Sequence, residues 1–360
     1  LTLILTSADY NKISYPVKMR LVFLVLCSGL LQFTYATNRL HSFEYIEERT
    51  QFNFSLCENK SLFTIYDEED ARFVQMLVEQ KGPVTVWLGL TRTDKRINLD
   101  DVPHLQKNLS EGEQICFAYE NGTVSAFECS QKKHFMCQNG GNFELIEKEK
   151  NWCQAKLYCK KKFQDLVNST AILEKNITTQ HGAFWTDRKL DQWEWRDKSC
   201  STFRDWAETP SDYFTFFSDY KLKSAASDIE YPTICSTGTA RIVFINTPRT
   251  WEEALQYCED NHSSLLEIRD EADQEAVMNW LKIINPATSV WIGMRQSSVF
   301  GFWIWRDGIV NWRGHWKDDT QPMPPMSFQC GVINQNFTWS DENCLYERPF
   351  LCEEDIFFFN

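Results

Sequence analysis

The sequence lacks the patterns that mark most classes of enzyme. It contains no glycine-rich phosphate loop, no Gly-x-Ser-x-Gly and no His-Glu-x-x-His. No Cys-x-x-Cys is present, and no two histidines stand four residues apart. Acidic residues are common, but none belongs to a motif that places two carboxylates across a cleft. These absences predict that the chain is not an enzyme.

Two further absences concern partners. The formal net charge is −13, with 37 Lys and Arg against 50 Asp and Glu, so the sequence has no excess of positive charge for a phosphate backbone. Beyond residue 36 no apolar run is long enough to span a bilayer, and "IFFFN" at 356–360 is far too short. The sequence therefore predicts neither nucleic-acid binding nor a membrane span.

The N-terminal region has the form of an export signal. Residues 1–18 contain no Met, and Met19 opens "MRLVFLVLCSGLLQFTYATN", a basic residue followed by an apolar run and small residues near Ala36. This order is typical of a secretory signal peptide over 19–36, and it leaves 1–18 as leader sequence outside the protein proper. The expected product is secreted and extracellular.

Secretion would expose the cysteines to conditions that form disulfides and the asparagines of sequons to N-glycosylation. Of 13 cysteines, Cys27 lies in the signal, and the other twelve are an even number in an oxidising compartment. Asn-x-Ser/Thr sequons, the acceptors for N-glycosylation, stand at Asn53, Asn59, Asn108, Asn121, Asn168, Asn176, Asn261 and Asn336. We expect a disulfide-bonded glycoprotein.

One pattern recurs along the chain. In "TWEEALQYCEDNHSSLLEIRDEADQEAVMNWL", Cys258 is followed by Ser-Leu, by Asp-Glu-x-Asp and by an amphipathic run, and "FSLCENKSLFTIYDEEDARFVQMLV" has the same order after Cys57. The acidic residues supply a helix N-cap, and the apolar residues recur at helical spacing. Each of these copies predicts two helices, one that carries the cysteine and one that the acidic cap opens.

Tryptophan segments and cysteine spacings continue the repeat. "VWLGL" at 86–90 and "VWIGM" at 290–294 predict buried strands, and "FWTD" at 184–187 is their counterpart in a middle copy. The first and third copies end on similarly spaced sets: Cys116, Cys129, Cys137 and Cys330, Cys344, Cys352. The middle copy has "NWCQAKLYC" at 151–159 but keeps only Cys235 of such a set, with Cys153 and Cys200 in addition. Its aromatic run from Tyr213 to Tyr220 is interpreted as core filling rather than as a protein-contact surface.

The segments "WEEALQYC", "WIGM", "WIWRDG" and "WSDENCLYERPFLCE" resemble the C-type lectin-like domain, in the tandem arrangement of mannose-receptor-like lectins. The resemblance implies an α+β fold of two helices, small antiparallel sheets and a long loop region, clamped by a disulfide. It implies three tandem domains, at 42–138, at 142–236 in degenerate form and at 241–353.

The resemblance also implies disulfide partners. It pairs Cys57 with Cys137, Cys116 with Cys129, Cys159 with Cys235, Cys258 with Cys352 and Cys330 with Cys344. By elimination, Cys153 and Cys200 are a further candidate pair.

Sugar-binding members of the family hold a Ca²⁺ that the sugar hydroxyls coordinate directly. The positions of its ligands fall here on Gln321-Pro322-Met323, on Phe328 and on Trp339-Ser340-Asp341. Gln321, Ser340 and Asp341 could still offer oxygen, whereas a thioether and a phenyl ring cannot serve Ca²⁺. The ligand site is thus expected to be degenerate and Ca²⁺ is disfavoured, with Gln321 and Asp341 as weak metal candidates. Asp318, Asp319 or Glu342 could substitute for missing ligands.

Two functions remain open at this point. One is a Ca²⁺-dependent lectin that acts through the third domain. The other is a binding protein that has lost the metal and recognises glycans or secreted and cell-surface proteins. Trp339 is expected to pack beneath the loop rather than to stack on a sugar.

Overall fold

The structure is a computed structural model that describes residues 38–82, 85–93, 111–174, 182–297, 299–306, 308–310, 314–322 and 328–359. The helices in these ranges are α1 (Glu68–Lys81), α2 (Trp152–Lys162), α3 (Ser169–Glu174), α4 (Trp251–Asn261) and α5 (Glu271–Ile284). A 3-10 turn covers Lys317–Asp319. The predicted leader and signal peptide, together with the sequons at Asn108 and Asn176, lie outside the described residues.

The strands run through the whole described chain. In order they are β1 (Ser42–Gln51), β2 (Ser61–Leu62), β3 (Val86–Arg92), β4 (Gln114–Glu120), β5 (Thr123–Glu128), β6 (Lys133–Asn139), β7 (Asn142–Lys150), β8 (Asp165–Leu166), β9 (Phe184–Asp191), β10 (Trp193–Trp195), β11 (Phe214–Ser218), β12 (Lys221–Ala225), β13 (Glu230–Thr237), β14 (Ala240–Arg249), β15 (Ser264–Leu265), β16 (Val290–Gln296), β17 (Trp303–Trp305), β18 (Gly308–Ile309), β19 (Gln329–Ile333), β20 (Trp339–Asn343) and β21 (Arg348–Asp355). Most neighbouring strands pair antiparallel, so the combination of helices and sheets is that of an α+β fold.

These strands form three sheets, and each sheet with its helices is called a module here. The C-terminal module comprises β14–β21 with α4 and α5. The split module comprises β1–β3 with α1, followed after an interruption by β10–β13. The inserted module comprises β4–β9 with α2 and α3, and it fills that interruption.

All three modules have the same strand arrangement. In the C-terminal module, β14 pairs antiparallel with β21, β21 pairs parallel with β16, and β16 pairs antiparallel with β19, which pairs with β20. The split module repeats this order with β1, β13, β3, β11 and β12. The inserted module repeats it with β7, β6, β9, β4 and β5. The three sheets are therefore equivalent although their strands follow one another differently along the chain.

A buried tryptophan marks the equivalent central strand of each module. The indole Nε1 of Trp291 donates to the carbonyl oxygen of Arg249 at 3.0 Å, at the end of the module's first strand. Trp87 donates in the same way to Thr50 at 3.0 Å, and Trp185 to Lys150 at 2.9 Å. Each of the three rings is fully buried. The "VWLGL", "FWTD" and "VWIGM" segments thus have the same structural role, and the predicted buried strands at 86–90 and 290–294 are confirmed.

The predicted boundaries of the first two domains, 42–138 and 142–236, are wrong. Strands β1–β3 pair with strands from 193–237, whereas 114–139 pairs with 142–191. Residues 139–142 do not link two sheets but form the turn of a hairpin, in which Asn139 pairs with Asn142 across Gly140 and Gly141. Gly140 has a positive φ of 61°, which fits a two-residue hairpin turn with glycine at its first central position. The halves of the first two copies are therefore exchanged.

The exchange takes place at one crossing of the chain. The backbone N–H of Thr93, just after β3, donates to the carbonyl oxygen of Gln192 at 2.8 Å, and the Thr93 hydroxyl donates to the same oxygen at 3.1 Å. Gln192 is the single residue between β9 of the inserted module and β10 of the split module. The segment that leaves the split module after β3 and the segment that returns to it before β10 therefore meet at this point.

The disulfides follow the exchange. Four pairs agree with expectation: Cys116–Cys129, Cys153–Cys200, Cys258–Cys352 and Cys330–Cys344. The expected pairs Cys57–Cys137 and Cys159–Cys235 are wrong, because the structure has Cys57–Cys235 and Cys137–Cys159. Three disulfides occupy equivalent places: Cys57–Cys235, Cys137–Cys159 and Cys258–Cys352 each join the segment after β1, β7 or β14 to the strand that pairs with it. In the first two of these, the two cysteines come from different copies of the repeat.

Helix caps explain most of the predicted helices. The side chain of Asp67 caps α1 and that of Asp270 caps α5, as the acidic motif predicts. Thr250 and Glu253 form a capping box at the start of α4, which carries Cys258. The predicted helix around Cys57 is wrong, since residues 54–59 form turns. The segment around Cys57 has no cap followed by an apolar helical stripe of the kind that opens α4.

The split and C-terminal modules share a hydrophobic core between α1 and α5. The rings of Phe73 and Trp280 stack with centroids 3.7 Å apart, and the indole N–H of Trp280 donates to the carbonyl of His41 at 2.8 Å. The aromatic run of the middle copy belongs mainly to a core as well. Phe217 is buried and Phe214 stacks on Phe52 at 4.3 Å, although Tyr213 and Tyr220 are half exposed.

Candidate functional site

The positions that resemble the family's ligand site lie in the C-terminal module, between β17 and β20. Gln321 is exposed, and the next residue, Pro322, accepts a hydrogen bond at its carbonyl from the indole of Trp303 at 3.3 Å. This bond fixes the backbone beside Gln321 against the core. Met323 lies outside the described residues.

Ser340 and Asp341 lie on β20, opposite Val332 and Gly331 of β19. Both are partly buried. The pairing of β19 with β20 and the disulfide Cys330–Cys344 fix the backbone on which they stand. The strand thus holds one carboxylate and one hydroxyl at the edge of the loop region.

Phe328 occupies the position where the family has an acidic ligand. Its side chain is 79% exposed, and its carbonyl accepts from the backbone N–H of Cys344 at 3.1 Å. An apolar ring therefore projects into solvent at the position that the family resemblance assigns to a Ca²⁺ ligand.

Three acidic residues could replace the missing Ca²⁺ ligands, and the structure places them in different environments. Glu342 accepts from the Ser289 hydroxyl at 2.6 Å and from the Arg348 guanidinium at 2.8 Å, so it is held in a structural ion pair. Asp318 and Asp319 are exposed on the 3-10 turn, with φ of 60° and 51°. No group of three or more His, Cys, Asp or Glu side chains that could hold a metal ion occurs in the described part of the chain.

Trp339 lies beneath the loop and not on the surface, as expected. Its ring is fully buried, and its Nε1 donates to the amide oxygen of Gln274 on α5 at 2.9 Å. Trp305 and Trp316 pack edge-on against it with centroids 5.7 Å away. Gly314 passes so close that a Cβ there would clash with this ring. The tryptophan of the family motif is structural in this chain.

The sequons differ in how accessible their side chains are. Asn53, Asn59, Asn121 and Asn336 are exposed. Asn168 and Asn261 are partly buried, and their amide nitrogens donate to Asp187 at 3.2 Å and to the Tyr257 carbonyl at 3.0 Å.

A polar network joins the three modules, and sequence reasoning did not find it. Arg241 on β14 is buried and donates to Asp67 and Asp70 of the split module, at 2.8 Å in the case of Asp70, and to Glu354 at 3.0 Å. Gln154 of the inserted module donates to the other oxygen of Glu354 at 3.0 Å. Only the packing of the modules brings these residues together, and no spacing in the sequence signals it.

The network shifts the pKa values of two of its carboxyl groups, Asp70 and Glu354. Burial raises the pKa of the Asp70 carboxyl to about 7 despite the opposing charge of Arg241. Burial also acts to raise the pKa of Glu354, but Arg241 and the hydrogen-bonded His262 outweigh it and hold that pKa well below its usual value. We therefore assign the network to the joining of the modules.

Comparison with known proteins agrees with this fold. Residues 247–354 match the model of the Lectin C-type domain family. The chain is 28% identical over 107 residues to the secretory phospholipase A2 receptor of Oryctolagus cuniculus and 29% identical over 107 residues to C-type mannose receptor 2 of Homo sapiens. Each match covers 29% of this chain and 7% of the receptor, so the chain spans only a small part of the length of these relatives.

A solved structure, the carbohydrate-recognition domain of a mouse scavenger receptor C-type lectin, is 27% identical. It covers 32% of this chain and 91% of its own, with a TM-score of 0.28. No helix in the described ranges is long and apolar enough to cross a membrane. The C-terminal module, which contains the matched residues 247–354, is therefore a C-type lectin domain, and the chain resembles the mannose-receptor-like lectins.

Proposed function

We propose that the chain is a secreted, N-glycosylated binding protein of three C-type lectin-like modules, which recognises glycan or protein ligands without catalysis. Its usual Ca²⁺-dependent sugar site is largely degenerate. The signal-like segment at 19–36 and the eight sequons support secretion. The equivalent strand order of the three sheets supports three modules.

The observation that carries the proposal is the ring of Phe328, exposed at the position of an acidic ligand. Asp341 and Gln321 leave one carboxylate and one amide in the family's ligand positions, with the Ser340 hydroxyl as a weak third donor. Ca²⁺ takes six to eight oxygen ligands and depends on carboxylates for charge. Recognition is therefore expected to proceed without the metal.

Calorimetric titration of the whole protein with Ca²⁺ tests the proposal. We expect no binding heat and no change in melting temperature. A variant that restores family ligands, Phe328→Glu with Ser340→Asn, gives the positive comparison, and a gain of Ca²⁺ binding in it locates the defect at these two positions. Saturable binding by the unaltered protein would contradict the degenerate site.

The second function is a Ca²⁺-dependent lectin that acts through the C-terminal module. Asp341, which is intact, favours it. Retention on mannose or galactose resin that is reversed by EDTA, and lost in Asp341→Asn, would establish this function over the first.

A further inference from the structure

A cleft lies where the three modules meet, and it is open to solvent. Its volume is about 820 Å³, within the range of ligand sites in proteins. The start of α1 and the loop 202–205 of the split module form one wall, and the region around β4 and β5 of the inserted module forms another. The end of α4 of the C-terminal module forms a third wall.

One N-glycosylation sequon, Asn261-His262-Ser263, lies in the wall of this cleft. Asn261 is the last residue of α4, and it lines the cleft together with His262. The other sequon asparagines in the described ranges do not line it; they are Asn53, Asn59, Asn121, Asn168 and Asn336. A side chain that can carry a sugar covalently thus stands in a cleft of the size of a ligand site.

The amide of Asn261 is held by two residues that also line the cleft, Lys132 and Tyr257. The Nζ of Lys132 donates to its Oδ1 at 2.9 Å, and its Nδ2 donates to the carbonyl oxygen of Tyr257 at 3.0 Å. An N-glycosidic bond replaces one of the two hydrogens on Nδ2 and leaves Oδ1 free to accept. One N–H therefore remains for Tyr257, and both contacts are compatible with a sugar on Asn261.

The backbone beside this asparagine joins the C-terminal module to the inserted module. The Nε2 of Gln154 donates to the carbonyl oxygen of Asn261 at 3.0 Å, and the Nζ of Lys150 donates to that of Asp260 at 3.2 Å. Both donors belong to the inserted module, and Lys150 is only 6% exposed. A sugar attached to Asn261 therefore begins at the contact between two modules and faces the third across the cleft.

The lining of the cleft combines the groups that a sugar needs. Phe127 and Tyr257 contribute aromatic rings, both partly buried, and Ser130, Gln131 and Thr202 contribute hydroxyl and amide groups. A sugar ring has apolar C–H faces that pack on aromatic rings, and its hydroxyl groups both donate and accept hydrogen bonds. Apolar walls with a few polar groups are typical of sites that hold small ligands.

We propose that Asn261 carries an N-glycan whose innermost sugars occupy the cleft and contact all three modules. The glycan is then an internal structural ligand of this chain. This inference rests on the N-glycosylation in the proposed function and gives one of the sequons a specific role. The exposed asparagines Asn59 and Asn336 do not line the cleft, so sugars on them extend into solvent.

The glycan forms by transfer from a lipid-pyrophosphate-linked oligosaccharide, the donor of the secretory pathway. The bond between the anomeric carbon and the pyrophosphate oxygen breaks, and a bond between that carbon and Nδ2 of Asn261 forms. The leaving lipid pyrophosphate takes up the displaced amide proton. Transfer precedes folding, so the sugars are already present when the modules pack around them.

Release of glycans from the native protein tests the proposal. The whole protein, secreted by a glycosylating host, is treated with a peptide N-glycosidase, and each sequon is followed by mass spectrometry of its peptide. We expect Asn261 to be occupied and its glycan to be released at least about tenfold more slowly than those on Asn59 and Asn336, because the enzyme reaches it only when the cleft opens. After reduction and denaturation, the three rates should be similar.

A matched pair of variants, Asn261→Gln and Asn59→Gln, measures what the enclosed glycan does. Each removes one glycan, but only the first should lower the melting temperature, by about 2–4 °C. Part of this loss belongs to the hydrogen bonds of the Asn261 amide itself. The same pair produced without glycosylation gives that share, and the temperature difference between the two variants should be smaller there.

The outcomes separate this inference from the proposed function. A bare Asn261 beside occupied Asn59 and Asn336, or release from native Asn261 as fast as from Asn59, would overturn the inference and leave the proposed function intact. Absence of sugar from every sequon would instead remove N-glycosylation from the proposed function, and this inference with it.

Discussion

The C-terminal module and the split module have the same sheet but obtain it from the chain in different ways. In the C-terminal module all strands lie within residues 240–355, whereas in the split module the whole inserted module separates β3 from β10. Even so, Trp291 and Trp87 make the same hydrogen bond to the end of the first strand. The pattern of a strand thus decides its place in the sheet, but not which copy of the repeat supplies its neighbour.

The two junctions between copies account for the difference. At 139–142 the sequence Asn-Gly-Gly-Asn closes a tight hairpin, which pairs β6 with β7 in one sheet. At 237–240 the link is equally short, but the N–H groups of Thr239 and Ala240 donate to the carbonyl of Arg39. Gly238, with φ of 138°, passes so close to His41 that a Cβ would clash. Contacts with residues 39–41 therefore fix the link between β13 and β14, which lie in different sheets.

Removal of a disulfide that closes one of the two exchanged modules should have the largest effect on the free energy of unfolding. Loss of Cys57–Cys235 through Cys57→Ser with Cys235→Ser opens a loop of 178 residues, and the chain-entropy model gives a cost of about 5 kcal/mol. Loss of Cys137–Cys159 opens 22 residues and should cost about 3 kcal/mol. Denaturant unfolding of the two double variants measures the difference.

Thiol titration of the first of these variants, and of a further variant with Cys57→Ser and Cys137→Ser, tests the exchange itself. The mature Cys57→Ser, Cys235→Ser variant should have no free thiol, whereas Cys57→Ser with Cys137→Ser should have two, on Cys235 and Cys159. The opposite counts would mean that each copy closes on itself.

If the split and C-terminal modules are equivalent, substitution of Trp87 and of Trp291 should lower the free energy of unfolding by similar amounts. Trp87→Phe and Trp291→Phe each remove an indole N–H from a backbone carbonyl and leave a small cavity, which should cost about 2–3 kcal/mol apiece. Unfolding free energies of the two variants compare them. A loss confined to Trp291→Phe would show that the exchanged sheet is less tightly packed than its counterpart.

The hairpin turn should show a smaller effect. Gly140→Ala places a Cβ at φ of 61° and should cost about 1 kcal/mol, since nothing but the backbone strain opposes it. Gly141→Ala is the control, because Gly141 has open space around its Cα and no positive φ. Similar melting temperatures for the two variants would contradict the turn geometry.

The smallest expected effect is a change of pH dependence at the crossing. Burial acts to raise the pKa of Asp191, but Arg204 and Lys189 outweigh it, so the pKa of this carboxyl in the folded state is lowered. A lowered folded-state pKa contributes stability above the unfolded pKa, near 3.8, and this stability is lost as pH falls below about 5. The decrease in melting temperature between neutral and acidic pH should be smaller in Asp191→Asn. An unchanged slope would mean that Asp191 is not preferentially ionised in the folded state.

Much of the fold could be predicted from the sequence. The N-caps Asp67 and Asp270, the strands around Trp87 and Trp291 and the clamp Cys258–Cys352 all follow from local patterns or from the family resemblance. The helix expected at Cys57 does not form. The metal positions Gln321, Ser340 and Asp341 remain a prediction that the titration above addresses.

The sequence by itself determined the local units of this protein: where its capped helices begin and that the segments around Trp87 and Trp291 form strands. Each of these features depends on residues that are close together in the sequence, because hydrophobic spacing and capping side chains act over only a few residues. Tertiary structure alone decided which copy completes which sheet, and hence the pairs Cys57–Cys235 and Cys137–Cys159. Because repeated strands have nearly the same pattern, either partner fits locally, and the choice depends on the turn at Gly140 and on the contacts of Gly238.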